Sequence, residues 1–235
     1  MAIDRITIRR ATERGVTRTG WLNSRHSFSF GDYYEPAHIG FRSLRVINDD
    51  VVQPGQGFGT HPHRDMEILS FVVTGELEHR DSLGTGSVIR PGEAQLMSAG
   101  TGILHSEFNP SREHEVRFLQ VWIEPARRGL APGYEQRRFE QRPGELVLVA
   151  SPDGREGSLT VQQDVLVRRA VLDAGGETTA IIAADRFGWL QLVRGSVTVE
   201  GLELAEGDGL AASGPGVLAA KAGAGGADMI LFDLA

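Results

Sequence analysis

Two pieces of the stretch from Gly55 to Asn109 decide how this chain is read: GFGTHPH at Gly57–His63 and GILHSEFN at Gly102–Asn109. Each offers two metal-ligand types at i and i+2, His61 with His63 and His105 with Glu107. Side chains two apart on an extended strand share a face, whereas on a helix they stand roughly 200° apart. Two such pairs therefore ask for two neighbouring strands whose inward faces converge inside a barrel. Burying three imidazoles and a carboxylate without a partner is costly, and a divalent ion removes that cost. The spacing predicts one metal site with His61, His63, His105 and Glu107 as ligands. Glu67 shares the parity of His61 and His63. It is a further candidate as ligand, orienting partner or proton-transfer residue, ranked below Glu107. His79 and Asp81 form another same-face pair and read as hydrogen-bonded neighbours on a strand. His26, set among aromatics, reads as a packed histidine, and His38 and His114 fall in polar loops.

Outward from this stretch the chain is a run of short alternating segments. Phe41–Val52, Glu67–Val73, Glu76–Arg80, Val88–Ile89, Gln95–Ser98 and Val116–Ile123 all read as strands, separated by glycine, proline and aspartate turns. No segment sustains a helical period, so the expected class is all-β, built as antiparallel barrels. Trp21–Tyr34, WLNSRHSFSFGDYY, is dense in aromatics and reads as a lid over one barrel end. Glu124–Glu145 breaks the pattern with three prolines and five arginines. It reads as a surface connection with a helical turn near Tyr134–Glu140.

From Leu146 the strands resume and echo the first half: FVVTGELE at Phe71–Glu78 against LVRGSVTVE at Leu192–Glu200. Aligned on these glycines, the positions of His61 and His63 fall near Ile181 and Ala183, and those of His105 and Glu107 near Ala220 and Ala222. The expected organisation is a metal-binding domain over residues 1–124, a linker over 125–145, and a second barrel without a metal site over 146–235. A net charge of −7 argues against a direct nucleic-acid binder. With no cysteine in the chain, thiolate ligands and disulfides are excluded. No apolar run approaches the ~18 residues of a membrane span, and Met1–Arg10 lacks the apolar core of a signal peptide. A cytoplasmic, monomeric protein that neither crosses nor anchors in a membrane is the expectation.

Gly55-x5-His61-x-His63-x3-Glu67, followed by Gly75, resembles the first cupin motif, and Gly102-x2-His105-x3-Asn109 the end of the second. The fuller strings GFGTHPHRDMEI, EHRDS and MSAGTGILHSE, with HSFSFGDYY, RVINDD and YEQRRF, resemble the pirin family, in particular its shorter bacterial members. That resemblance covers most of the chain. It implies a bicupin of two jelly-roll barrels with metal only in the first, held by His61, His63, His105 and Glu107. It places Glu107 above Glu67 as the coordinating carboxylate. It also implies iron(II) as the ion, although imidazole and carboxylate would accept Mn, Co, Ni, Cu or Zn. The implied activity is cleavage of a flavonol such as quercetin by O2, with Glu107 or Glu67 taking the proton of the flavonol hydroxyl. Phe28, Phe30 and Phe58 are candidates to wall the pocket. The competing expectations are a metal-dependent regulatory module that docks a protein partner without turnover, and a cupin enzyme acting on another small molecule.

Overall fold

Where apolar and polar residues alternate in the sequence, the chain is strand. A computed structural model describes Ile3 and residues 5–235; Met1, Ala2 and Asp4, part of the segment read for a signal peptide, lie outside the described residues. Among the described residues the only helical pieces are three-residue 3-10 turns at Ala11–Glu13, Pro36–His38 and Arg155–Gly157. No helix is long and apolar enough to cross a membrane. The chain forms two units. One comprises Gly15–Phe139 with Leu159–Gln163, and the other the N-terminal segment to Arg14, Glu140–Ser158 and Asp164–Ala235.

The first unit pairs two antiparallel sheets. The larger runs, in spatial order, Gly133–Arg138, Glu93–Ser98, Glu67–Thr74, Val116–Ile123, Leu44–Val52, Leu22–His26 and Gly15–Arg18. The smaller runs Gly57–His63, Ile103–Phe108, Leu77–Asp81 and Gly86–Ile89. Val52, Val72, Val116 and Phe118 from the larger sheet meet Leu77 and Ile89 from the smaller in one buried cluster. Ile68 and Met97 meet Ile103 in a second. Burying these faces against each other removes apolar surface from water, the main favourable contribution to folding.

Two glycines show how tight the frame is. A Cβ on Gly57 would stand 2.2 Å from the carbonyl oxygen of Glu107, so only glycine lets this strand close on its partner. Gly75 turns the chain at φ +76°, a conformation that L side chains rarely adopt.

Two expectations shift here. Gly133–Arg138 is a strand paired with Glu93–Ser98, where a linker with a helical turn was expected. Its residues from Gly133 to Gln136 are half-buried and only Arg137 and Arg138 are exposed, so the strand shows no alternation of burial. The strand Arg5–Arg9 pairs with Gly209–Ser213 and belongs to the second unit, so the units do not divide at residue 124.

The second unit, which lacks histidine, has an aliphatic interior. Leu192, Leu210, Leu218, Ala220, Ala222, Met229 and Leu231 all join its core cluster. Ala220 and Ala222 fall there as the internal echo requires, but Ile181 is 75% exposed and its neighbour Ile182 fills the interior. The echo is therefore one residue out of register at that strand, which turns the opposite set of side chains inward.

Phe118 is fully buried between the two sheets of the first unit. Phe118→Ala should cost about 3–5 kcal/mol through lost burial and a residual cavity, read as a lowered urea midpoint for that unit's transition. A midpoint unchanged from wild type would contradict this packing.

Candidate metal centre

The two histidine-bearing strands pair directly. Gly57–His63 lies antiparallel to Ile103–Phe108, with His63 opposite Ile103 and His61 opposite His105. A bulge follows, so that Glu107 stands opposite Phe58. On its other edge the Ile103–Phe108 strand pairs with Leu77–Asp81, placing His105 opposite Asp81 and Glu107 opposite His79. Alternation then sends His61, His63, His105, Glu107, His79 and Asp81 toward one interior.

The three predicted histidines meet. Their ring centroids are 4.5 Å apart for His61 and His105, and 4.7 Å for His63 with each of the others. Nε2 of His61 and Nε2 of His105 are 3.0 Å apart. Nδ1 of His61 lies 2.8 Å from the carbonyl oxygen of Gly59, which can only accept, so the His61 proton sits on Nδ1 and its Nε2 carries a lone pair. Nε2 of His63 is out of contact with solvent and has no hydrogen-bond partner among the described residues. Burial, reinforced by the charge His61 would carry, pushes the His63 pKa down to about 4. Burial and the neighbouring His63, His61 and His79 push that of His105 to about 2. Near neutral pH the His63 and His105 rings are free bases.

Glu107 stands beside them. Its carboxylate groups with His79 and His105 within 4.8 Å, whereas His61, His63 and His105 form a separate group by the same measure. It accepts hydrogen bonds from Nε2 of Gln120 at 2.6 Å and from the Ser70 hydroxyl at 3.5 Å. Burial pushes its pKa up to about 7; the Gln120 hydrogen bond works against the shift and nearby Asp50 adds to it. Asp50, fully buried, is likewise raised to about 7 by burial, with Asp49 adding to it.

Glu67 does not join this group. Asp65, at φ +59°, breaks the chain after His63, and the next strand belongs to the other sheet, so parity does not carry across. The Glu67 carboxylate instead accepts from the Ser98 hydroxyl at 2.9 Å and the Gln162 amide at 3.1 Å. His26 is packed, its ring nitrogens 2.7 Å from Oδ1 of Asn48 and 2.8 Å from the Thr17 hydroxyl. Nε2 of His79 meets Oδ2 of Asp81 at 3.0 Å, the strand pair expected from their spacing.

Several participants were not anticipated. Trp122 packs edge-on against His63, with centroids 4.9 Å apart, and Phe30 packs edge-on against Trp122 at 5.4 Å. The Trp122 indole N–H donates to Oε1 of Gln120 at 3.1 Å, which aims the Gln120 amide at Glu107. One signal in the sequence could have found them: in VRFLQVWI, Phe118, Gln120 and Trp122 share a face, and a glutamine between two aromatics on an inward face needs a polar partner.

Comparison with known proteins places this geometry. The family profile described as Pirin matches residues 8–123, and that described as quercetinase C-terminal cupin domain matches residues 148–234. Quercetin 2,3-dioxygenase of Escherichia coli (strain K12) is 48% identical over 229 residues, 97% of this chain and 98% of that one. Among solved structures, the bacterial pirin YhhW of Escherichia coli in complex with nickel(II) is 48% identical with a TM-score of 0.93, covering 98% of this chain and 99% of that one. YhaK of Escherichia coli is 31% identical with a TM-score of 0.74, over 88% and 92% of the two chains. The fold is that of a two-domain cupin. The chain belongs to the pirin family.

Glu107 yields a pH prediction for metal-free protein. Its folded pKa of about 7 lies above the ordinary carboxylate value of 4.5, so the folded state binds the proton more tightly. Its contribution is therefore present at low pH and is lost as pH rises from about 4.5 through about 7. Metal-free Glu107→Gln should gain stability relative to wild type across that window, measured by denaturant midpoints at a series of pH values. A constant difference between the two proteins would contradict a buried, proton-holding Glu107.

Proposed function

We propose that His61, His63, His105 and Glu107 hold one divalent metal ion and that the protein is a pirin-type dioxygenase cleaving flavonols with O2. One observation carries this reading: two Nε2 atoms 3.0 Å apart beside a third imidazole nitrogen with no protein partner. Two nitrogens at right angles on one ion, each at about 2.1 Å, stand about that far apart. Three imidazoles with a carboxylate suit iron(II) and nickel(II) alike, and iron(II) is the ion of this proposal. The names of the Escherichia coli relatives, a quercetin 2,3-dioxygenase and a pirin in complex with nickel(II), support the assignment.

An ion bound there would supply Lewis acidity, lowering the pKa of a flavonol 3-hydroxyl, and a route for electrons between flavonol and O2. The protein's own groups do the rest. Glu107, whose carboxylate Gln120 and Ser70 hold in place, is the group positioned to take the hydroxyl proton. Glu67, tied to Ser98 and Gln162, has no part in it. Trp122, with Phe30 behind it, walls His63 and limits water around the ring. Ring opening of the flavonol would release carbon monoxide and a depside.

Iron(II)-loaded protein should consume O2 as quercetin absorbance falls, and His63→Ala and His105→Ala should lose both bound metal and turnover. Full metal content and full turnover in His105→Ala would overturn the assignment. Quercetin bound by wild type but never consumed would favour the regulatory reading over the enzymatic one.

A further inference from the structure

We propose that His79 and Asp81 set the tautomer of His105, keeping its Nε2 lone pair aimed into the cavity it shares with His61 and His63. The proposal rests on the metal-binding reading above and deepens it. It starts at Asp81, whose Oδ1 accepts the backbone N–H of Leu83 at 2.8 Å and of Thr85 at 3.0 Å. Burial works to raise the Asp81 pKa, but the hydrogen bonds from His79 and these amides outweigh it and hold the carboxyl low. An ionised carboxylate can only accept, so Nε2 of His79, 3.0 Å from Oδ2, bears the proton. Both side chains are fully buried, and an imidazole with its one proton on Nε2 leaves a lone pair on Nδ1.

Two nitrogens face that lone pair: Nδ1 of His105 at 3.4 Å and Nε2 of Gln95 at 3.5 Å. A glutamine nitrogen can only donate, which agrees with an accepting Nδ1 on His79. Nδ1 of His105 must then donate too, and a neutral imidazole protonated on Nδ1 presents a bare Nε2. That Nε2 is the atom 3.0 Å from Nε2 of His61. The strand register makes the chain possible, because His105 lies opposite Asp81 and Glu107 opposite His79 on adjacent strands. Tyr134 stacks on His79 with centroids 4.9 Å apart, so the His79 ring is held in plane. His61 reaches the same state more simply, through the Gly59 carbonyl. Partners of this kind orient metal-binding histidines and raise their basicity.

The first test needs no variant. Long-range 1H–15N imidazole spectra of the metal-free protein should show His79 protonated on Nε2 and His105 on Nδ1; a His105 protonated on Nε2 overturns the proposal. The second test is Asp81→Asn. Its oxygen can keep the bonds to Leu83 and Thr85 while its NH2 turns on His79, moving the His79 proton to Nδ1 and that of His105 to Nε2. Nickel(II) affinity by calorimetry should then fall about 10–100-fold. His79→Gln, whose side-chain oxygen can accept from Nδ1 of His105, should retain most of it. Wild-type affinity and unchanged tautomers in Asp81→Asn would overturn the proposal. Wild-type protein with both tautomers as assigned but no nickel uptake would uphold the hydrogen-bond chain and refute the metal reading instead.

Discussion

The antiparallel pairing of Gly57–His63 with Ile103–Phe108 is the constraint on which the rest of the first unit depends. It sets His61 against His105 and, through the bulge, brings Glu107 to the same interior. The pairing needs Gly57, because any side chain there would strike the main chain at Glu107 and Phe108. The glycine run before His61 is thus part of the site's geometry, not only a turn. A slip of one residue would send every ligand candidate to the outer face.

The interior this creates is polar to a degree that a barrel tolerates only when its groups are paired. Asn48, Asp50, Ser70, His79, Gln95, His105, Glu107 and Gln120 are all buried. Most are joined in short hydrogen-bonded chains, from Trp122 through Gln120 to Glu107, and from Asp81 through His79 to His105. Both chains end on groups expected to face an ion. The second unit offers the contrast: a similar strand framework closes over leucine, alanine and methionine. One interior is specialised for chemistry and the other for packing.

Much of this was legible in the sequence because period-two alternation reports directly on which residues share a face. The two ligand pairs and the strand-rich pattern followed from it, and the internal echo aligned on glycines pointed to a second barrel without a metal site. Alternation failed where the chain changed sheet. Asp65 interrupts the run between His63 and Glu67, so their shared parity does not carry across it, and the Glu67 carboxylate bonds Ser98 and Gln162. Alternation gave no signal at Gly133–Arg138, whose strand is half-buried from Gly133 to Gln136 and exposed only at its two arginines. The Arg5–Arg9 strand was placed in the first domain by its position in the chain, since a short amphipathic strand carries no record of its partner. Gln120 and His79 were readable as inward-facing, but what they touch depends on cross-strand register, which one sequence does not state.

The central claim is that one ion sits where the three imidazoles meet. Anomalous diffraction from crystals of nickel(II)-loaded protein, collected on both sides of the nickel edge, tests it most directly. A single strong peak per chain is expected, in the first unit, within bonding distance of Nε2 of His61, His63 and His105. A peak centred elsewhere, or none at full nickel occupancy in solution, would contradict it.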